Sequence, residues 1–186
     1  MPQHVLAPTV SLACHDLRTP LATVSGFAKT LLRADGLDER TARFVGMIDE
    51  ASDQLTELLD ELGVVARIES GRYEPALVEA DTLELATCDD ERVVAAGVGE
   101  TVETDPPAVG RALRALGVAA SRHGGVERVT WTVRGRELEL APVTAEAAPV
   151  VAGDALRDFS SLAARVVIEA LGGSLALDGE RLVVRL

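Results

Sequence analysis

The sequence predicts an α+β fold, in which a two-helix hairpin that forms a dimeric four-helix bundle is followed by a reduced α/β sandwich. Up to residue 72, apolar side chains recur at steps of four and three, which is the spacing of paired helices. Beyond it, short strand-like runs are mixed with two helix-like segments, which is typical of one sheet covered on one face. We therefore divide the chain into residues 1–72 and 73–186.

The first helix is expected to begin at Thr9, which can cap it, after a disordered tail that contains His4. Asp35-Gly36 supplies the turn that ends it. Its apolar or small positions form one stripe with a seven-residue period: Val10, Cys14, Leu17, Leu21, Val24, Ala28 and Leu31.

The second helix can begin at Asp38, a good N-cap, and end at Ser70-Gly71. Its stripe is Phe44, Ile48, Ala51, Leu55, Leu58, Leu62 and Val65. Two helices with one apolar stripe each cannot bury both stripes well as an isolated hairpin, whereas two copies can do so in a four-helix bundle. The sequence therefore predicts a homodimer.

The second part of the chain alternates strands and helices. Helices are expected at residues 106–123 and 158–171, the first with Pro106 just inside its start and Gly124-Gly125 past its end. Strands are expected at residues 92–98, 100–103, 126–133, 137–140, 174–177 and 181–186. This arrangement predicts an α/β sandwich.

Composition excludes several classes of function. A net charge of -12 argues against binding to nucleic acid or to anionic membrane surfaces. No apolar run reaches the roughly 18 residues that cross a bilayer, and we expect a cytoplasmic protein. Cys14 and Cys88 are too few for a disulfide scaffold or a metal cage, so no metal site is expected.

The chemistry-bearing stretch lies in the first helix. His15 follows the stripe residue Cys14 by one place and should point outward, with Thr19 one turn further along the same face. Pro20 removes a backbone donor and loosens the helix there. The next outward positions are small, so that another protein's helix could approach His15: Ala22, Thr23 and Gly26.

The run His-Asp-Leu-Arg-Thr-Pro-Leu from His15 resembles the phospho-acceptor motif of histidine kinases. The resemblance implies that His15 becomes phosphorylated and that Asp16 hydrogen-bonds the ring, which makes the other nitrogen a better nucleophile. Thr19 corresponds to the position that orients water when related kinases dephosphorylate a receiver domain. Arg18 is a candidate partner contact, with a role as a surface or salt-bridge residue left open.

The second part resembles the ATP-binding domain of the same family, but it departs from that domain's motifs. Ala115 and Ala119 stand where the family carries two Asn, the second of which holds Mg²⁺. Residues 138–144 lack the Asp-x-Gly-x-Gly motif, and Asp158-Phe159-Ser160-Ser161 replaces a Gly-x-Gly loop. We expect no ATP binding and no cofactor of the protein's own, with Mg²⁺ supplied by a receiver domain.

The leading hypothesis is a histidine phosphotransfer protein that relays a phosphoryl group between receiver-domain aspartates, with a hybrid histidine kinase as a further candidate partner. One alternative is a receiver phosphatase that uses Thr19. Another is a pseudokinase scaffold that binds a receiver without catalysis. An ATP-dependent autokinase is the least favoured interpretation.

Overall fold

The computed structural model describes residues 3–34 and 36–186, and of residues 3–5 it describes the backbone alone. The chain divides into two compact units, Met1–Arg72 and Tyr73–Leu186. Unit 1 is the helical hairpin of α1 (Gln3–Leu32) and α2 (Glu39–Glu69). Within the described part of the chain, no helix combines the length and apolar character that a bilayer crossing requires.

The start of α1 differs from the prediction. The helix begins at Gln3, so the expected cap at Thr9 is wrong, and the backbone of His4 belongs to the helix and not to a disordered tail. Between Gln3 and Thr9 the helix contains one proline, Pro8. A proline costs a helix one hydrogen bond without ending it when the neighbouring turns continue. Thr9 has a side chain that could cap a helix, but α1 continues through it.

The boundaries of α2 were predicted correctly. The Asp38 carboxylate accepts a hydrogen bond from the Thr41 backbone N–H at 3.0 Å, which is the expected N-cap. The helix ends at Glu69, and Ser70 follows as its C-cap. In the turn that joins the helices, Gly36 has a φ of 93°, whereas Asp35 lies outside the described residues.

Within the hairpin, the helices meet through small side chains and leave large ones exposed. The buried residues are Cys14, Ala28, Val45, Ser52, Gly63 and Ala66. The large stripe residues that stay exposed in the single chain are Leu17, Val24, Leu31, Phe44, Ile48, Leu55 and Leu58. At the polar margin, Lys29 Nζ donates to Asp53 at 3.0 Å and ties α1 to α2. One chain thus buries only part of the predicted apolar stripes.

Unit 2 contains two sheets and four helices. The helices are α3 (Thr82–Ala86), α4 (Pro106–Gly124), α5 (Ala148–Val151) and α6 (Phe159–Ala170). The strands are β1 (Val78–Asp81), β2 (Val93–Gly99), β3 (Thr101–Thr104), β4 (Val129–Gly135), β5 (Glu137–Ala141), β6 (Ser174–Asp178) and β7 (Arg181–Arg185). Five strands form one sheet in the order β2-β4-β5-β7-β6, and β1 pairs with β3 in a separate antiparallel sheet.

The five-stranded sheet has one apolar and one charged face. Trp131 of β4 is fully buried, and its indole N–H donates to the carbonyl of Leu113 in α4 at 3.3 Å. Alternation along the strands places charged residues on the opposite face. There, Glu139 of β5 pairs with both Arg134 and Arg181 on neighbouring strands. The predicted sandwich, with a sheet covered on one face, is therefore present.

Three short elements of unit 2 were not predicted. β1, α3 and α5 each have five residues or fewer, and β1 and β3 form a second sheet where a single sheet was expected. The bounds of the other strands differ from the predicted ones by at most three residues, the largest shift being β4, which starts at Val129 and not at residue 126. β1, α3 and α5 escaped prediction because elements this short carry too few side chains to show a periodic pattern.

Candidate functional site

His15 stands on the outside of α1. Its side chain is 78% exposed, whereas the preceding Cys14 is 1% exposed and packs inside the hairpin. The predicted outward orientation of the imidazole is confirmed. The Nδ1 atom of His15 lies 3.3 Å from Oδ1 of Asp16, and the Asp16 side chain is itself 70% exposed.

The contact with Asp16 has a chemical consequence for the ring. An ionised carboxylate is an acceptor, so the contact favours the tautomer in which Nδ1 carries the proton. Nε2 then keeps its lone pair. Because the ring is exposed, Nε2 can act as a nucleophile toward an electrophile brought by another molecule.

The turn that follows His15 has a modified backbone. Pro20 lies inside α1 and has no N–H, so the carbonyl of Asp16 receives no helical hydrogen bond from it. Thr19 is exposed, and its carbonyl accepts a hydrogen bond from the Thr23 hydroxyl at 3.1 Å. The structure therefore places Thr19 one turn from His15 with its side chain open to solvent.

Arg18 reaches across to α2. Its Nε and Nη2 atoms donate to Oδ1 of Asp60 at 3.0 and 2.8 Å. A Cβ at Gly63 would lie 3.2 Å from Nη2 of Arg18, so the missing side chain leaves room for the guanidinium. Of the two roles considered for Arg18, the structure displays the salt bridge. Asp60 and Gly63 were not singled out from the sequence, because nothing local marks a partner 42 residues away.

The small residues beyond Pro20 form an open stretch of α1. Ala22, Thr23 and Gly26 are exposed. A Cβ at Gly26 would meet no atom of the described chain within 4 Å. Nothing within the hairpin requires a glycine here, and the space beside it is available to another molecule.

Several positions of unit 2 that the sequence comparison expected to lack nucleotide-binding side chains carry apolar ones. Ala119 is 1% exposed in the core, and Ala115 precedes it by one turn of α4. Leu138 and Leu140 of β5 are also buried. Among the described residues, no three His, Cys, Asp or Glu side chains come together as a group that could hold a metal ion.

Asp158, directly before α6, forms a compact ionic cluster with two residues of α4. Asp158 is the N-cap of α6, and its Oδ1 accepts a hydrogen bond from the Ser161 N–H at 3.0 Å. Its Oδ2 contacts the Arg122 guanidinium and lies 3.1 Å from Nε2 of His123, both near the end of α4. Burial raises the pKa of Asp158, but the Ser161 N–H, His123 and Arg122 outweigh it and lower that pKa overall.

Comparison with known proteins finds a family match within unit 1. Residues 9–71 match the family model of the His Kinase A (phospho-acceptor) domain. The sensor protein DivL of Caulobacter vibrioides is 39% identical over 57 residues, which is 31% of this chain and 7% of DivL. The probable sensor histidine kinase TcrY of Mycobacterium tuberculosis is 33% identical over 63 residues, which is 34% of this chain and 13% of TcrY.

The solved structure of full-length ShkA in complex with AMPPNP aligns with 97% of this chain and 45% of ShkA, at a TM-score of 0.66 and 20% identity. The chain therefore shares its fold with that structure. Within it, residues 9–71 of the N-terminal hairpin match the His Kinase A model, and unit 2 contributes the mixed α/β part of the shared fold.

The His Kinase A domain places His15 in a chemical context. The family match covers His15 together with Arg18, Asp60 and Gly63, so the histidine and the residues that join the two helices beside it lie within one domain. Domains of this kind typically dimerise and interact with response regulators. The chain spans 7% and 13% of the two curated relatives, so it corresponds to a small part of each.

Proposed function

We propose that this protein is a histidine phosphotransfer protein that relays a phosphoryl group between receiver-domain aspartates through His15. The observation that carries the proposal is the exposed imidazole of His15, with the Asp16 carboxylate 3.3 Å from Nδ1, on a His Kinase A helix. Asp16 and Thr19 are the further catalytic residues of the proposal. Arg18, Ala22, Thr23 and Gly26 belong to the surface on which a receiver docks.

The transfer follows from the ring's hydrogen bonding. Nε2 of His15 attacks the phosphorus of an aspartyl phosphate in line, the P–O bond to the aspartate breaks, and the free carboxylate leaves. The ring, still protonated at Nδ1, becomes a positively charged phosphoimidazole that the Asp16 carboxylate stabilises. The reverse sequence delivers the group to a second aspartate. Magnesium ion would arrive with the receiver and balance charge on the phosphoryl oxygens.

The proposal includes the absence of ATP-dependent self-phosphorylation. A nucleotide and its Mg²⁺ do not fit the residues present in unit 2, because Ala115 and Ala119 offer no oxygen ligand and Asp158 brings a carboxylate to the start of α6. A carboxylate at that place repels a phosphate. The phosphoryl group would therefore come from another phosphoprotein, for which receiver domains and a hybrid histidine kinase are the candidate donors.

The decisive experiment mixes the purified chain with a receiver domain that carries a radiolabelled aspartyl phosphate. The wild type should take up an acid-labile label, and His15→Ala should take up none. Gln54→Ala, an exposed substitution on α2 away from the motif, is the matched control and should label like the wild type. Labelling of His15→Ala at the wild-type rate would refute the assignment.

A second incubation with radiolabelled ATP and Mg²⁺ tests the nucleotide part of the proposal separately. The wild type should remain unlabelled while a complete histidine kinase under the same conditions becomes labelled. Self-labelling on His15 would overturn the absence of kinase activity and leave His15 as the acceptor.

The exposed Thr19 makes receiver dephosphorylation the second candidate function. In that case release of inorganic phosphate from the receiver would survive His15→Ala and fail in Thr19→Ala.

A pseudokinase scaffold is the remaining alternative. In that case the wild type and His15→Ala would bind the receiver equally well, and neither would transfer a phosphoryl group. We further propose that the protein is cytoplasmic and acts as a homodimer. The homodimer is supported by the apolar stripes of unit 1, which are exposed in the single chain.

A further inference from the structure

The ionic cluster at the start of α6 places a buried acid among several anion-binding groups. The Asp158 side chain is 3% exposed, whereas Arg122 and His123 beside it are 58% and 24% exposed. The acid is therefore covered by the two basic groups, which themselves remain in reach of solvent. Burying a carboxylate costs free energy unless hydrogen bonds and opposite charges compensate it.

The groups around Asp158 are those that bind oxyanions in proteins. A 12-residue helix presents its first N–H groups and the positive end of its dipole, and Arg122 adds a guanidinium with a planar set of donors. Ser161, in the first turn of α6, adds a second and independent sign. Its hydroxyl is fully buried and has no hydrogen-bond partner among the residues that the structure describes.

We propose that Asp158 is a built-in anion, whose carboxylate occupies an oxyanion site formed by Arg122, His123 and the first turn of α6 and thereby keeps phosphate-type ligands out of unit 2. The carboxylate satisfies the donors of this site within the chain. Removing it leaves the Arg122 and His123 side chains and the first N–H groups of α6, including that of Ser161, without their shared acceptor. This inference is independent of phosphotransfer through His15, which lies in the other unit.

Asp158→Ala tests the proposal as a gain of binding. In this variant, inorganic phosphate at tens of millimolar should raise the melting temperature by about 4 °C or more relative to chloride at equal ionic strength. The wild type should not respond. Asp154→Ala is the matched control, because it removes an acid that is 72% exposed and 4.0 Å from Arg165. It should behave like the wild type, and adding Arg122→Ala to Asp158→Ala should abolish the response.

Asp158→Gly empties the site with a residue that the N-cap position tolerates. Glycine replaces a polar N-cap residue at a small cost in stability, so this variant should fold even where Asp158→Ala does not, and it should also respond to phosphate. Inorganic triphosphate and ATP should act alike on either variant, because the proposed site recognises phosphoryl oxygens alone.

Four results would overturn the proposal. They are a wild-type response equal to that of the variants, a folded variant without any response, a clearly larger effect of ATP than of inorganic triphosphate, and failure of both variants to fold. The last result would show that the carboxylate is needed for the fold itself and does not exclude a ligand.

Discussion

At the scale of single residues, an acid beside a basic group has different consequences in the two units. Asp16 is 70% exposed beside His15, so water screens the pair and the contact contributes little to stability. In the proposed mechanism, Asp16 orients and polarises the imidazole of His15. Asp90 in unit 2 is largely buried, and its ion pair and hydrogen bonds with Arg92 stabilise the folded state of that unit.

Asp16→Asn should slow phosphotransfer by about tenfold without unfolding the protein. The amide can present its NH₂ group to the ring as well as its oxygen, so it fixes the tautomer poorly, and it no longer balances the charge of the phosphorylated ring. The measurement is the rate of label transfer from a phosphorylated receiver, with the melting temperature as control. Glu50→Gln, an exposed acid on α2, should leave both unchanged. A rate equal to that of the wild type would remove Asp16 from the mechanism.

Asp90→Asn should reveal a pH-dependent contribution to the stability of unit 2. Arg92 donates to Asp90 from Nε at 2.9 Å and from Nη2 at 2.6 Å, and these hydrogen bonds lower the pKa of Asp90 to about 2. A lowered pKa in the folded state stabilises the protein above the unfolded value near 3.8, and this stabilisation is lost as pH falls toward 2.

At pH 7 the Asp90→Asn variant should therefore be less stable than the wild type by about 1 kcal/mol, a modest value because Arg92 is partly exposed. Denaturant unfolding at pH 7, 4 and 2.5 should show the difference shrinking between pH 4 and 2.5. Asp89→Asn, on the exposed neighbouring residue, is the control. A difference that stays constant over this range would show that the ion pair is not its source.

At the scale of secondary-structure elements, long periodic segments were predictable and short ones were not. α2, α4 and α6 lie where periodicity, caps and glycines placed them to within two residues, because each of those signals is local. The start of α1 was misjudged because Thr9 could cap a helix that in fact continues to Gln3.

Contacts between distant residues of one unit were beyond the sequence. The motif around His15 was visible as a run of residues, but the salt bridge from Arg18 to Asp60 depends on how α1 packs against α2. Likewise, Asp158 was noted as an obstacle to a triphosphate, whereas its neighbours Arg122 and His123 emerge only when α4 and α6 pack together. Packing brings these groups together, and no local pattern encodes it.

Two glycines of α4 should respond oppositely to alanine. A Cβ at Gly117 would lie 2.8 Å from both methyl groups of Val93 in β2, whereas a Cβ at Gly110 would meet the Leu85 carbonyl at an ordinary 3.7 Å. Alanine favours a helix over glycine by up to about 1 kcal/mol, but overpacking a core costs about 1–3 kcal/mol. Gly110→Ala should therefore stabilise unit 2 slightly, and Gly117→Ala should destabilise it by about 1–2 kcal/mol.

Denaturant unfolding of the two variants checks this prediction, since both carry the same substitution on the same helix. Equal effects of the two substitutions would mean that α4 moves away from β2 at no cost, which would contradict the tight packing described for this face of the sheet.

At the scale of the whole molecule, the exposed apolar stripes of unit 1 require an explanation. Leu17, Phe44, Ile48 and Leu55 are each about half exposed, at 53%, 51%, 48% and 51%. Contiguous apolar surface of this kind marks an interface in most proteins. A second copy offers the same stripes, so two hairpins can cover each other around a twofold axis.

Ile48→Glu should convert the proposed homodimer into a monomer, because it places a charge in the middle of the shared stripe. Light scattering should give twice the chain mass of 19.6 kDa for the wild type and the single chain mass for the variant. Gln54→Glu adds the same charge at an exposed polar position of α2 and should remain dimeric. The melting temperature of unit 1 should rise with protein concentration in the wild type and lose that dependence in Ile48→Glu. A wild type that is monomeric at tens of micromolar would show that something other than a second copy covers the stripes.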